Sequence, residues 1–100
     1  MAHMHITVIP VGTPAASVGE HIADIEHFLQ ENKVEHTLHD MGTIITGSIP
    51  QLLRIAEEIH RLPFSKGVQR VVTNITLDER IDLDRGLGDK QRSIFNRLTE

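Results

Sequence analysis

A chain of 100 residues, 39% hydrophobic and 24% charged, fills one domain around one core and leaves too few apolar side chains for a second. Its formal charge of −4 supplies no positive field for nucleic acid or anionic lipid, and an aromatic content of 3%, with no Trp or Tyr, argues against a base-stacking platform. The lack of cysteine excludes disulfides, thiolate metal sites and a Cys nucleophile; with no signal-peptide core and no apolar run near the roughly 20 residues that cross a bilayer, it makes the cytoplasm the expected location.

Met1-Ala2-His3 reads as an appended leader, because Met4 begins a strand-like run directly, and the single domain is taken as residues 4–100. From His5 to Val11 the residues are β-branched and apolar, and the run stops at Pro10-Val11-Gly12-Thr13-Pro14, which predicts a first strand and a turn. Val18, Ile22, Ile25 and Leu29 then recur at helical spacing, with Ser17 placed to cap the start. After Asn32 and Lys33, the alternation from Val34 to His39 predicts a half-buried strand, followed by a bend at residues 40–42 and a third strand over Thr43 to Thr46.

Ser48-Ile49-Pro50-Gln51 carries the polar cap, early proline and third-place Gln of a helix start. The helix it opens is expected to bury Leu52, Leu53, Ala56, Ile59 and Leu62, with Pro63 limiting its regular part. Arg70 to Leu77 is the most β-like stretch of the chain, and a short helix from about Asp89 to Leu98 closes it. The order is β-α-β-β-α-β plus a tail, the α+β ferredoxin-like arrangement, with two helices on one face of a four-stranded antiparallel sheet.

Side chains alternate along a strand, so Ile6 and Val8 should share the helix-facing side with Ile45, Val71, Thr73 and Ile75. The opposite side then carries Thr7, Ile9, Ile44, Thr46, Val72, Asn74 and Thr76, a mixture too apolar for solvent and too polar for a core. Such a face is expected to meet another copy of the chain. Thr43 and Thr73 fall on the inner side and Ser17 at the start of the first helix, where a small polar ligand could lie between sheet and helix. The competing reading is that each hydroxyl bonds a nearby carbonyl.

Seven histidines invite a metal, but His3 lies in the leader, His21, His27 and His60 are explained by polar helix faces, and His36 and His39 point to opposite faces. No metal or cofactor is expected. Asp78, Glu79, Asp82, Asp84 and Asp89, interspersed with Arg80 and Arg85, read as a solvated loop rather than a general acid and base. The glycines make neither a P-loop nor a dinucleotide fingerprint, and Ser17, Ser48, Ser65 and Ser93 have no nucleophile motif around them.

The segments Pro10-Val11-Gly12-Thr13, Ser17-Val18, Met41-Gly42-Thr43 with Gly47, and Arg70-Val71-Val72-Thr73 running into Asp78-Glu79-Arg80 together resemble the YkoF-like thiamine-binding proteins, a family long left uncharacterised. The likeness runs in order from Met4 to about Ser93, though family members often carry paired aspartates where this chain has Asp78-Glu79, and the tail after Ile81 is less familiar. It implies a ferredoxin-like subunit that pairs into homodimers or homotetramers and binds thiamine or its hydroxymethylpyrimidine part, with no enzymatic activity. Carried across, the ligand-binding positions are Ser17, Thr43 and Thr73, with Asn74 and Asp78 as lesser candidates. Two other readings compete: an oligomeric regulatory or structural module without this ligand, and an enzyme using the residue 78–89 loop with His5 or His39 at a subunit boundary.

Overall fold

A computed structural model describes residues 1–12, 18–82 and 86–99, the side chain of Val18 excepted. Its elements are β1 (Ala2–Val11), α1 (Val18–Glu31), β2 (His36–His39), β3 (Gly42–Gly47), α2 (Ile49–Arg61), a 3-10 turn (Leu62–Lys66), β4 (Arg70–Glu79) and α3 (Asp89–Leu98). The sheet order is β2-β3-β1-β4, and every neighbouring pair is antiparallel, the ferredoxin-like arrangement. The first strand begins at Ala2, so the residues read as a leader pair with Gly47 and Thr46 on β3 and with Glu79 and Asp78 on β4.

The local chemistry explains the ends of the elements. Ser48 is extended and its hydroxyl accepts from the Gln51 amide at 3.4 Å, satisfying one of the free N–H groups at the start of α2. Pro63 then tightens the chain into the 3-10 turn, and Gly67, at φ 88°, ends it by donating its amide to the Phe64 carbonyl. Between β2 and β3 only Asp40 and Met41 separate the last paired residues, His39 and Gly42.

Cα pairing confirms the two-faced reading of the strands. Ile6 pairs with Ile75 and Thr43, Val8 with Thr73, and Met4 with Ile45 and Leu77, all on the side that α1 and α2 cover. Met4, Ile6 and Ile45 meet Ile25 and Leu29 from α1 and Leu52, Ile55, Ala56 and Ile59 from α2 in one core. Leu53 is not part of it: it is 49% exposed, and Ile55 takes its place. Positions 52, 55, 56 and 59 form one stripe at 3.6 residues per turn, and position 53 lies about a third of a turn outside it.

The other face carries His3, His5, Thr7, Ile44, Thr46, Asn74, Thr76 and Asp78. Among the described residues the helix that borders it is α3, and α3 has no buried residue; Ile94, Phe95 and Leu98 all remain exposed. Between α3 and the sheet lies a hollow of about 750 Å³ bordered by His3, Ile44, Asp78, Ile94, Phe95 and Leu98. No helix among the described residues is long and apolar enough to cross a membrane.

Candidate functional site

The sheet itself creates the site. The ladder between β1 and β3 runs only from Ala2 to Ile6, whereas that between β1 and β4 continues to Val11. Beyond Ile6, β1 therefore keeps one neighbour, which is why Pro10, lacking an N–H, is tolerated in a central strand. On the side β3 has left, a crevice of about 270 Å³ opens, walled by Ile6 to Pro10 of β1, Ile22, Ile25 and Glu26 of α1, and the hairpin from Leu38 to Thr43, with Ile59 bordering it from α2. Ile22, on the apolar stripe of α1, is 42% exposed because it faces this space rather than the core.

The polar groups of the crevice form a short chain. Thr43 is buried, and its hydroxyl donates to Glu26 Oε2 at 3.3 Å. The other carboxylate oxygen, Oε1, lies 3.4 Å from His36 Nε2. His36 pairs with Ile45 and so shares its inward side; its Nδ1 donates to the Val34 carbonyl at 2.7 Å. A carbonyl only accepts, so Nδ1 bears the hydrogen, and Nε2 meets the carboxylate as a donor only in the imidazolium form. The Glu26 and His36 side chains are 19% and 14% exposed, which places their contact beside the crevice that Glu26 borders rather than out in solvent.

At the hairpin end, the Met41 amide donates to His39 Nδ1 at 3.2 Å, which puts the ring hydrogen on Nε2. That Nε2 is buried and unpaired among the described residues. The His39 ring lies 5.1 Å from that of His5 on the open face.

Of the positions chosen from sequence, Thr43 borders the crevice. Thr73 shares the inner side, but its hydroxyl is taken by His60 Nδ1 at 2.6 Å and it does not border the crevice. Asn74 pairs with Thr7 and Asp78 with His3, so both lie on the opposite face, where Asp78 borders the hollow under α3. Ser17 lies outside the described residues. The expected convergence of hydroxyls is therefore replaced, among the described residues, by one hydroxyl and a carboxylate, because inward threonines two places apart along β1 meet different helices: Thr43 meets α1 and Thr73 meets α2. Among the described residues, the partners found for the two hydroxyls are helix side chains, Glu26 for Thr43 and His60 for Thr73.

Sequence reasoning missed Glu26 and His36, and it placed His21 and His60 on polar helix faces. His21 is 5% exposed, with Nδ1 unpaired among the described residues, and His60 reaches down to the sheet. A usable signal was present: an inward polar residue on a covered strand needs a polar partner from the helix above it. Thr43 and His36 call for Glu26 in this way, and Thr73 calls for His60. Among the described residues, no group of three or more His, Cys, Asp or Glu side chains could hold a metal ion.

Comparison with known proteins points the same way as the fold. Residues 4–94 match the family model described as thiamine-binding protein. The UPF0045 protein in the glkA 3′ region of Staphylococcus xylosus is 38% identical, with 100% of this chain and 97% of that one aligned. The UPF0045 protein YqgV of Bacillus subtilis is 37% identical over 98% of both chains. Among solved structures, hypothetical protein MJ1052 of Methanocaldococcus jannaschii superposes with a TM-score of 0.81 at 24% identity, covering 94% of this chain and 95% of that one. A Thermotoga maritima protein provisionally assigned to thiamine biosynthesis or salvage gives 0.77 at 14% identity, covering 93% and 97%.

Proposed function

Because the chain belongs to the thiamine-binding protein family, we propose that it binds thiamine or a related hydroxymethylpyrimidine compound in the crevice between β1, α1 and the β2–β3 hairpin, and that it does so without catalysis or a cofactor. The observation that carries this reading is the crevice itself. Its walls are mainly apolar, suited to the faces of a flat ring, and Thr43 and Glu26 stand together on one side to receive N–H groups. At about 270 Å³ it lies below the roughly 300–1,000 Å³ of typical ligand pockets, a size that suits a pyrimidine ring better than the whole of thiamine.

The test is calorimetry on the purified chain with thiamine and with hydroxymethylpyrimidine. Saturable binding is expected, weakened about tenfold in Thr43→Val, as loss of a hydrogen bond within a charged network predicts. No heat with either compound at millimolar concentration would sink the reading.

The protein is further proposed to be a cytoplasmic homodimer or homotetramer, joined through the open sheet face. The apolar residues that α3 presents without burying them, and the hollow it shares with Ile44, support that assembly. The same features favour the second reading, an oligomeric regulatory or structural module without this ligand. Native mass spectrometry of protein taken from cells separates the two. Oligomers carrying an added small-molecule mass support the binding protein, and oligomers without one support the module.

A further inference from the structure

We propose that the outer edge of β4 is a self-pairing surface, along which two copies of the chain join antiparallel about a two-fold axis at Asn74 into one continuous sheet. This contact is distinct from the open sheet face and needs no ligand.

A strand at the margin of a sheet directs the N–H and C=O of every second residue away from its one neighbour, and folded proteins shield such a row with short edge strands, Pro, Lys or bulges. At one margin β2 is short, with 4 residues. At the other, β4 has 10 residues, none of them Pro or Lys, and among the described residues its one sheet neighbour is β1. Its register with β1 is unbroken from Arg70 to Glu79, so no bulge twists the edge away. The helix layer stops short of it as well. Ile75 and Leu77 pair with Ile6 and Met4 on the helix-covered side, yet they are 43% and 42% exposed where Ile6 and Met4 are buried. An apolar strip beside an open row of main-chain groups is the surface that an added strand covers.

The order of residues in β4 identifies that strand as a second copy. A dyad perpendicular to the sheet keeps every residue on its own face, so a residue can oppose only itself or one an even number of places away. With the axis at Asn74, Arg70 of each copy stands opposite Asp78 of the other on the open face. On the helix-covered side Val71 opposes Leu77 and Thr73 opposes Ile75, which lays one copy against the exposed apolar strip of the other. Moving the axis one residue, to Ile75, loses the charge match and sets Val72 against Asp78 and Val71 against Glu79. Charge therefore selects the register as well as the partner. The axis of this contact crosses the sheet, whereas that of copies stacked face to face lies parallel to it, so the two contacts together close a tetramer.

The chain has no cysteine, so introduced thiols report the register without background. Residues directly opposed across an antiparallel pair have Cα atoms about 4.5–5.5 Å apart, within disulfide reach. Under mild oxidation, Val71→Cys/Leu77→Cys is expected to run as a linked pair of chains on a non-reducing gel. Each single variant should stay unlinked, because its two thiols would lie about 20 Å apart along the strands. Both positions are on the helix-covered side, so stacking through the open faces cannot join them. A folded double variant that stays unlinked, or a single variant that links as readily, would overturn the pairing. Should the double variant fail to fold, the exposed charges decide. Arg70→Glu and Asp78→Arg each set like charges opposite one another and should weaken edge pairing about tenfold, while a mixture of the two restores both matches. Native mass spectrometry tells the two chains apart by mass. Mixed pairs well above their random share are expected, and mixed pairs at the random share would overturn the proposal.

Discussion

The two faces of the sheet are built from the same strands by alternate residues, yet they are completed in different ways. On one side Met4, Ile6 and Ile45 are closed over by α1 and α2 from the same chain. On the other, His5, Ile44 and Asn74 are left to α3, which spans a hollow instead of packing. The difference shows that a single strand can supply a core with one set of residues and leave the next set on an open face, the one proposed above to join copies of the chain. Adjacent residues test it most directly. Ile45→Ala should cost about 2–5 kcal/mol of chain stability in urea unfolding, the range for a truncated core aliphatic. Ile44→Ala, one residue away, should cost about 1 kcal/mol or less in the same measurement and instead shift the oligomer distribution seen by native mass spectrometry. Equal losses from the two would abolish the distinction between the faces.

One place on the open face is as tight as the core, and it refines the comparison. Gly42 holds φ at 150°, a value that L side chains rarely adopt, and a Cβ there would come within 2.8 Å of His5 Nε2 and Thr7 Cγ2 and within 2.9 Å of the Ile6 carbonyl oxygen. The ladder between β1 and β3 ends beside this point, so the glycine lets the hairpin lie close against β1 just where the crevice opens. Gly42→Ala should destabilise by about 2 kcal/mol, combining backbone strain with a clash against main chain that cannot swing away. Thermal unfolding measures the loss, and the ring resonances of His5 and His39 should move because the first of those rings is displaced. An unshifted melting temperature would mean that the hairpin can retreat, and that the crevice wall is softer than its geometry implies.

The architecture was legible in the residues because strand alternation and helix caps are local signals. The inner set Ile6, Val8, Ile45, Thr73 and Ile75 follows from counting by two, and Ser48 with Gln51 marks a helix start without any tertiary information. The site was legible only in part. Thr43 is found by the same counting, but its partner Glu26 lies 17 positions earlier on another element, and nothing in the spacing of α1 separates an acid that faces solvent from one at the margin of the buried stripe. His36 was set aside as a poor chelator when its role is to pair with Glu26. The crevice depends on where the ladder of β3 stops, a long-range property that periodicity does not report.

The rim of the helix layer offers the smallest effect, and its pH dependence has a definite sign. Lys66, at the end of the 3-10 turn, reaches α1 with Nζ 2.9 Å from Asp24 Oδ2. The hydrogen bond to Asp24, together with the charge of that carboxylate, raises the lysine above its ordinary value of 10.5. A folded value above the unfolded one means that the stabilising contribution is fully present below the unfolded value and fades as pH rises through the folded one. Lys66→Met keeps most of the aliphatic stem and removes the charge, so its melting temperature should lie slightly below that of the intact chain at neutral pH. That gap should hold constant to about pH 9 and close above 10.5 as the lysine loses its proton. Added salt should narrow it too, since both partners remain partly exposed. A gap that persists at high pH and high salt would instead assign the anchoring of the turn to the packing of the lysine stem, and the charged rim would then add nothing to the closure of the helix-covered face.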